Sequence, residues 1–367
     1  MSFILENISK NVNGETHLAN INLEIEKGSF NVLLGPTLSG KTTLLRLIAG
    51  LDRPTGGRIL MNGKDLSSVP VWKRNIAMVY QQFINYPHLN VYENIAFPLR
   101  RARISSAEID RKVRSTAELL QISPLLWRKP IELSGGQQQR TALARSLVKG
   151  TDLLLMDEPL INLDYKLREQ IREDFRNIFV ENDNTIIIYS TTDPMEPLLL
   201  GGQVVILNEG RQLQAGPTHN CYRNPATEEV ARVFNDPAMN MIDGIVDGSR
   251  VVLGKVISVP VADHLKALKD GEYRFGLRAS DIFLRQQAKD DIELSATTEL
   301  GEISGSETFI HVSHNRVSWV IQEFGIHGHT LEEQILTYFN SRNLFVFDTE
   351  GVLVAVPEQS TAFSPVY

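Results

Sequence analysis

The run Gly35-Pro36-Thr37-Leu38-Ser39-Gly40-Lys41-Thr42 fits the pattern G-x-x-x-x-G-K-[ST] at every fixed position, with Thr43 directly after it. Its glycines let backbone N–H groups close around phosphates. Lys41 brings a point charge to the β and γ phosphates, and the Thr42 hydroxyl can ligate Mg²⁺. A glycine-rich turn without a ligand leaves the Lys-Thr pair unexplained. Further on, four apolar residues, Leu153 to Met156, end in Asp157 and Glu158. A buried strand there delivers two acids at its carboxyl end. Asp157 would hold Mg²⁺ through water, and Glu158 would polarise an attacking water as general base. A third group, Leu133-Ser134-Gly135-Gly136-Gln137, opens the stretch LSGGQQQRTALARSL. A serine and two glycines at a helix start present free N–H groups and a positive dipole end, which suits an anion. Taken together, these residue types suit the phosphates of a nucleotide and their Mg²⁺.

Such groups need rigid elements to carry them. Phe30 to Leu34 reads as a short apolar strand feeding the glycine-rich loop. Lys41 to Gly50 then reads as a helix, apolar at Leu44, Leu45, Leu47 and Ile48 and stopped by Gly50. A helical insert follows over about 83–150. Within it, Ser105-x-x-Glu108 is a capping-box pattern, and Ile109, Val113, Ala117 and Leu120 form one buried stripe. A strand over Leu153–Met156, a helix near Leu163–Val180 and a strand over Thr185–Tyr189 complete an α/β domain spanning 1–235. The pattern changes near Asn235-Asp236-Pro237. Short alternating stretches such as Gly244–Val246, Arg250–Leu253, Thr308–Val312 and Leu344–Phe347 predict a small all-β domain over 240–357, with 358–367 a loose tail. No internal repeat is evident.

Bulk composition narrows the class. The chain has 367 residues, 42% hydrophobic and 22% charged, with a net charge of −7, which describes a folded globular protein with room for two or three domains. The acidic balance argues against nucleic acid as a partner. The basic groups Arg100, Arg101, Arg103 and Arg111, Lys112, Arg114 alternate with apolar residues as on a solvated helix face. The lone Cys221 reads as a packed thiol. The N-terminus lacks the pattern of a signal peptide, and no apolar run approaches the roughly 18 residues of a membrane span. A place in the cytoplasm follows, with any work at a membrane done through partners. His311 and His314, like His327 and His329, have no acid or cysteine cluster beside them and read as structural or surface residues. Mg²⁺ with ATP is the one metal expected.

The three motifs stand in the order and spacing of an ABC-type ATPase, and the resemblance covers nearly the whole chain. The chain resembles an ATP-binding subunit of an ABC importer of the maltose-type carbohydrate-uptake branch. Val79 to Leu99 is similar to that branch's Q-loop and the surface beside it that meets the permeases. The resemblance implies that Gln81 touches Mg²⁺ and senses the permease, and that Asp164 belongs to the D-loop at the nucleotide. Pro237–Ile242, Gly276–Ile282 and Gly301–Val312 resemble the branch's C-terminal OB-like regulatory domain. Two permease subunits, an extracellular or periplasmic solute-binding protein, a site at the cytoplasmic face of the inner membrane, and a sugar, polyol or sugar-phosphate solute are implied with it.

Three positions depart from that pattern. Thr192 falls where the family has a histidine that bonds the γ-phosphate and helps hold the attacking water. Threonine is too short and uncharged to span that gap, and by analogy with losing one transition-state donor the expected cost is roughly 10²–10³ in rate. Val12 falls where an aromatic stacks on adenine, so a stacking term on the order of 1 kcal/mol is missing. Ile161 stands where a serine precedes Asn162-Leu163-Asp164. In the family two ATPases face head to tail, and each nucleotide is held by one chain's phosphate loop and the other's LSGGQ. A homodimer would lack the histidine in both sites. A heterodimer would keep one weak site here and a competent one on the partner, completed by Ser134, Gly135, Gly136 and Gln137. The bacterial glycerol ABC importer uses two different ATPases, and this chain resembles one of them. The other readings are tolerated drift with activity intact and a non-hydrolytic nucleotide-binding scaffold of such a transporter.

Overall fold

The computed structural model describes residues 2–82, 84–160, 168–169, 171–173, 175, 185–248, 250–315 and 317–357. Ile161, Asp164, most of the helix expected near Leu163–Val180 and the tail 358–367 lie outside them. The chain divides into two compact units, residues 1–219 and 220–367.

The first unit holds two sheets. β1 (Ser2–Val12), β2 (Glu15–Glu26), β4 (Gly56–Met61) and β5 (Lys64–Asp65) form an antiparallel sheet in the order β2-β1-β4-β5. In β2 the buried Ile21, Leu23 and Ile25 alternate with exposed Asn22, Glu24 and Glu26, the period of a strand with one face on a core. The second sheet runs β10-β9-β3-β8-β7-β6, from β3 (Phe30–Leu34), β6 (Ile76–Val79), β7 (Leu153–Asp157), β8 (Ile186–Thr191), β9 (Gln203–Asn208) and β10 (Arg211–Pro217). It is parallel except for the β9–β10 pair. Every residue of β7 and β8 is buried, as expected of interior parallel strands covered on both faces.

Register is what this sheet contributes to the site. Asp157 pairs with Ser190 across β7–β8, and Leu34 with Thr191 across β3–β8. The carboxyl ends of three strands therefore meet, where ligands of open α/β sheets bind. β8 ends at Thr191, so Ser190 and Thr191 are strand residues. The apolar run Thr185–Tyr189 under-read it because polar residues continue the ladder.

α1 (Lys41–Ala49) buries Leu44, Leu45, Leu47 and Ile48 in the core shared by both sheets. Gly50 closes it at φ 79°, donating to Arg46 and Leu47 carbonyls, a left-handed stop that glycine adopts without strain. The helical insert consists of α2 (Val91–Arg101), α3 (Ser106–Leu119) and α4 (Gly135–Leu147). The stripe Ile109, Val113, Ala117 and Leu120 is buried, worth about 1.5–3 kcal/mol for each of its larger side chains. At the start of α3 only half the expected capping box forms. Ser105 accepts from the Glu108 N–H, while the Glu108 carboxylate turns to Lys112 at 3.7 Å and Arg111 at 4.0 Å.

The second unit is β-rich. One sheet runs β13-β12-β11-β14-β20-β21, from β11 (Asn240–Asp247), β12 (Arg250–Leu253), β13 (Ile257–Pro260), β14 (Gly271–Leu277), β20 (Phe345–Phe347) and β21 (Leu353–Ala355). The other runs β15-β19-β16-β17-β18, from β15 (Ile282–Phe283), β16 (Ile292–Ser304), β17 (Glu307–His314), β18 (Val317–Phe324) and β19 (Gln334–Phe339). Both are antiparallel and share one core, with Phe275, Leu277, Trp319, Ile321 and Phe339 in it, a near-barrel. The buried Asn240 ties them, donating to Val320 O at 2.9 Å and accepting from Val320 N at 2.7 Å. Residues 220–235, expected to end the α/β domain, belong to this unit, and Ala231 joins Met239, Phe345 and Phe347 in one cluster. Arg278 stacks on Tyr222 and Phe345 and donates to Tyr222 O. His311 and His314 lie on β17, whereas His327 and His329 lie in the loop after β18.

Candidate functional site

The loop between β3 and α1 is shaped by its glycines. Gly40 sits at φ 99°, and a Cβ there would meet Leu18 Cδ2 at 2.7 Å. A Cβ on Gly35 would collide with the Leu207 carbonyl. Gly40 caps α1 with no side-chain hydrogen bond, so no side chain competes for the N–H groups at that helix start. Pro36, Thr37 and Leu38 are exposed at the tip, Leu38 at 94%. Lys41 points inward with 3% exposure. It donates to Gly35 O at 2.8 Å and Pro36 O at 3.0 Å and pairs with Glu158 Oε1 at 3.2 Å. Burial pulls its ammonium below the usual lysine range, against the pull of Glu158. The Ser39 hydroxyl is buried without a hydrogen-bond partner among the described residues.

The two acids stand where β7 ends. Asp157 Oδ1 accepts from the Thr42 hydroxyl at 3.0 Å and the Ser190 hydroxyl at 2.9 Å. Burial raises its carboxyl above the usual aspartate value, and those two donors oppose the shift. Glu158 turns the chain at φ 44°, a left-handed conformation uncommon for a residue with a side chain. Its N–H donates to Ser190 Oγ at 3.0 Å, and its Oε2 accepts from Gln81 Nε2 at 3.4 Å. Thr42, Lys41, Gln81, Asp157 and Glu158 thus form one contiguous cluster.

Beside it, Thr192 lines a pocket with Glu158, Tyr189, Asp193 and Glu196. Tyr189, Asp193 and Glu196 of that lining belong to a polar network that the motifs did not announce. Arg172 bonds Glu169 at 2.6 Å, Asp193 at 3.0 Å and Glu196 at 3.2 Å, and the Tyr189 hydroxyl donates to Glu196 at 2.7 Å. Burial disfavours the Arg172 charge, but the three carboxylates outweigh it and hold it firmly protonated. Burial and Glu196 push the Tyr189 phenol well above its ordinary range.

Ser134–Gln137 and Val12 have their recorded partners elsewhere. Ser134 and Gln137 close on each other in a capping box, at 3.1 and 3.4 Å, so the Gln137 N–H is taken within its own chain. The N–H groups of Gly135 and Gly136 head α4. Among the described residues no hydrogen bond or ion pair links Ser134–Gln137 to Lys41, Asp157 or Glu158. Val12 is exposed at the β1–β2 hairpin, paired with Glu15. Asp164 lies outside the described residues.

The family model for the ABC transporter matches residues 18–161, which include the phosphate loop, Gln81, LSGGQ and both acids. The trehalose/maltose import ATP-binding protein MalK of Thermococcus litoralis is 38% identical over 321 residues, covering 83% of this chain and 86% of that protein. The chain belongs to the ABC transporter ATP-binding proteins. Within them it falls in the maltose-type branch: the sn-glycerol-3-phosphate import ATP-binding protein UgpC 3 of Rhizobium etli is also 38% identical, over 305 residues, 83% of this chain and 84% of that one. A solved dimer of the ATP-binding cassette MJ0796 in a post-hydrolysis state, bound to ADP and Pi, superposes with a TM-score of 0.52 at 28% identity. It covers 59% of this chain and 98% of that one. Among the described residues, no helix of this ABC protein is long and apolar enough to cross a membrane.

Sequence reasoning missed Ser190, Arg74 and the Arg172 network. Arg74 is buried between α1 and the loop after β5, donating to the carbonyls of Leu47, Ile48, Leu66 and Val69. The one signal available was an arginine two residues before an apolar strand, which does not name its acceptors.

Proposed function

We propose that the chain binds and hydrolyses ATP to drive an importer of a carbohydrate or polyol (a sugar, glycerol or sn-glycerol 3-phosphate) at the cytoplasmic face of the inner membrane. Two permeases, a solute-binding protein and a second, different ATPase would complete the complex. The observation that carries this reading is the cluster in which Lys41 and Gln81 both meet Glu158 while Thr42 meets Asp157. The two import relatives support the solute class.

The pocket suits a nucleotide with its metal. The buried Ser39 hydroxyl, without a partner among the described residues, and the start of α1, where Gly40 brings no side-chain cap, offer donors to phosphate oxygens. Thr42, Gln81 and Asp157 would hold Mg²⁺. When bound, Mg²⁺ neutralises charge building on the phosphate oxygens. Thr42 donates its proton to Asp157, which leaves its oxygen lone pairs for the metal. Lys41 exchanges its carbonyl and carboxylate partners for phosphate oxygens. Glu158, released from Lys41, takes a proton from the attacking water. Thr192 offers that water and the γ-phosphate only a short hydroxyl, so this site hydrolyses slowly. The self-capped LSGGQ, unlinked to its own phosphate loop, serves the site of a facing subunit.

A direct test is equilibrium binding of ATP with Mg²⁺ to the purified chain and to Lys41→Ala. Loss of at least tenfold in affinity supports the reading, and equal affinity removes its basis. A second reading, a nucleotide-binding scaffold without hydrolysis, is favoured by Thr192 and by the exposed Val12. An assembled transporter whose hydrolysis survives intact when Glu158→Gln is introduced in this chain would select it.

A further inference from the structure

We infer that Ser190 is a positioning residue whose single hydroxyl aims both acids of the site. Its Oγ donates to Asp157 Oδ1 at 2.9 Å and accepts from the Glu158 N–H at 3.0 Å. One hydroxyl has one proton and two lone pairs, so both bonds form at once without conflict. Ser190 is fully buried in β8, directly across from Asp157 in the parallel register. No water competes for either bond there.

The two bonds do different work. On Asp157, Ser190 and Thr42 load the same oxygen, Oδ1. That fixes the rotation of the carboxylate about its last torsion and commits its other oxygen to a set direction. On Glu158, the bond holds the N–H of a residue at φ 44°, where a side-chain-bearing residue needs outside support. Glu158 can therefore leave Lys41 and reach a water without its backbone relaxing. Hydrogen-bonded partners behind a metal-holding carboxylate commonly change metal affinity by about 10–100-fold when removed. Ser190 itself touches neither nucleotide nor metal in this arrangement.

This inference rests on the nucleotide reading above, and the two can fail separately. The full-length protein and Ser190→Ala are titrated with a non-hydrolysable ATP analogue in chelator. They are then titrated with Mn²⁺, read by electron paramagnetic resonance, with the analogue bound. The expected result is analogue affinity within twofold of the unmodified chain and Mn²⁺ affinity lower by about tenfold or more. Mn²⁺ affinity within twofold would overturn the inference. So would a parallel loss of both affinities, which marks a residue serving the fold alone. Should Ser190→Ala not fold, Ser190→Cys keeps the volume, replaces the hydroxyl by a weak donor, and is read the same way. An unmodified chain that takes up no analogue would instead overturn the nucleotide reading.

Discussion

Changing Glu158 to glutamine should tighten ATP binding while removing hydrolysis. Glu158 Oε1 lies 3.2 Å from Lys41 Nζ, with the side chains 14% and 3% exposed. The bare Coulomb attraction at that distance is about 5 kcal/mol with an effective dielectric near 20. A charged hydrogen bond nets only about 1.5–3 kcal/mol, because water is given up to form it. That smaller figure opposes the transfer of Lys41 to a phosphate, and the negative charge of Glu158 also repels the triphosphate. Glutamine keeps a carbonyl acceptor for Lys41 and loses the charge, so part of the opposition remains. At 1.4 kcal/mol per decade, ATP affinity in chelator should rise about tenfold, while hydrolysis falls by about 10²–10⁴ with the general base gone. Fluorescent nucleotide titration, with phosphate release on the same samples, reads both quantities. Unchanged or weaker binding together with intact hydrolysis would refute the Lys41–Glu158 contact as a gate and Glu158 as the base.

Three further substitutions follow from the same geometry. Thr192→His should raise phosphate release by up to roughly 10²-fold at an unchanged KM for ATP; no rise would show that this position does not limit the chemistry. Arg74→Ala removes a donor from four carbonyls, of which Leu47 and Leu66 keep a backbone N–H partner, and should cost on the order of 3 kcal/mol in urea unfolding; a loss below about 1 kcal/mol would contradict that role. Asp157→Asn should stabilise the nucleotide-free protein at pH 7. Burial raises the Asp157 carboxyl, so the fold favours its protonated form. That contribution is present below the unfolded value of 3.8 and is lost as pH rises through the folded value. The advantage of asparagine should therefore shrink as the pH falls toward 4, which chemical unfolding at both pH values measures.

The site's parts were legible where chemistry is local. β3, the phosphate loop and α1 lie within twenty consecutive residues, and an apolar run, two glycines and a Lys-Thr pair suffice to read them. β7 with Asp157 and Glu158, and the helix headed by LSGGQ, were readable for the same reason. What links them was not. Ser190 meets Asp157 through a pairing 33 residues apart in sequence, and one residue of slip would turn its side chain to the other face of the sheet. The apolar run stopped at Tyr189, so Ser190 fell just beyond the expected strand. Arg172 reaches Asp193 and Glu196 across 21 and 24 residues, with no local pattern to pair them. The half-formed cap of α3 has a plainer cause. Ser-x-x-Glu allows the reciprocal bond, but Lys112 one turn on offers Glu108 a charged partner.

The most direct test of the account is mass spectrometry of the complex that copurifies with a tagged copy of this chain from its native membranes. The account predicts two permeases, a solute-binding protein and a second, different ATPase whose own site this chain's LSGGQ completes. Permeases with this chain as the sole ATPase, turning over ATP at the full rate of an importer, would contradict it, because Thr192 would then stand in both working sites.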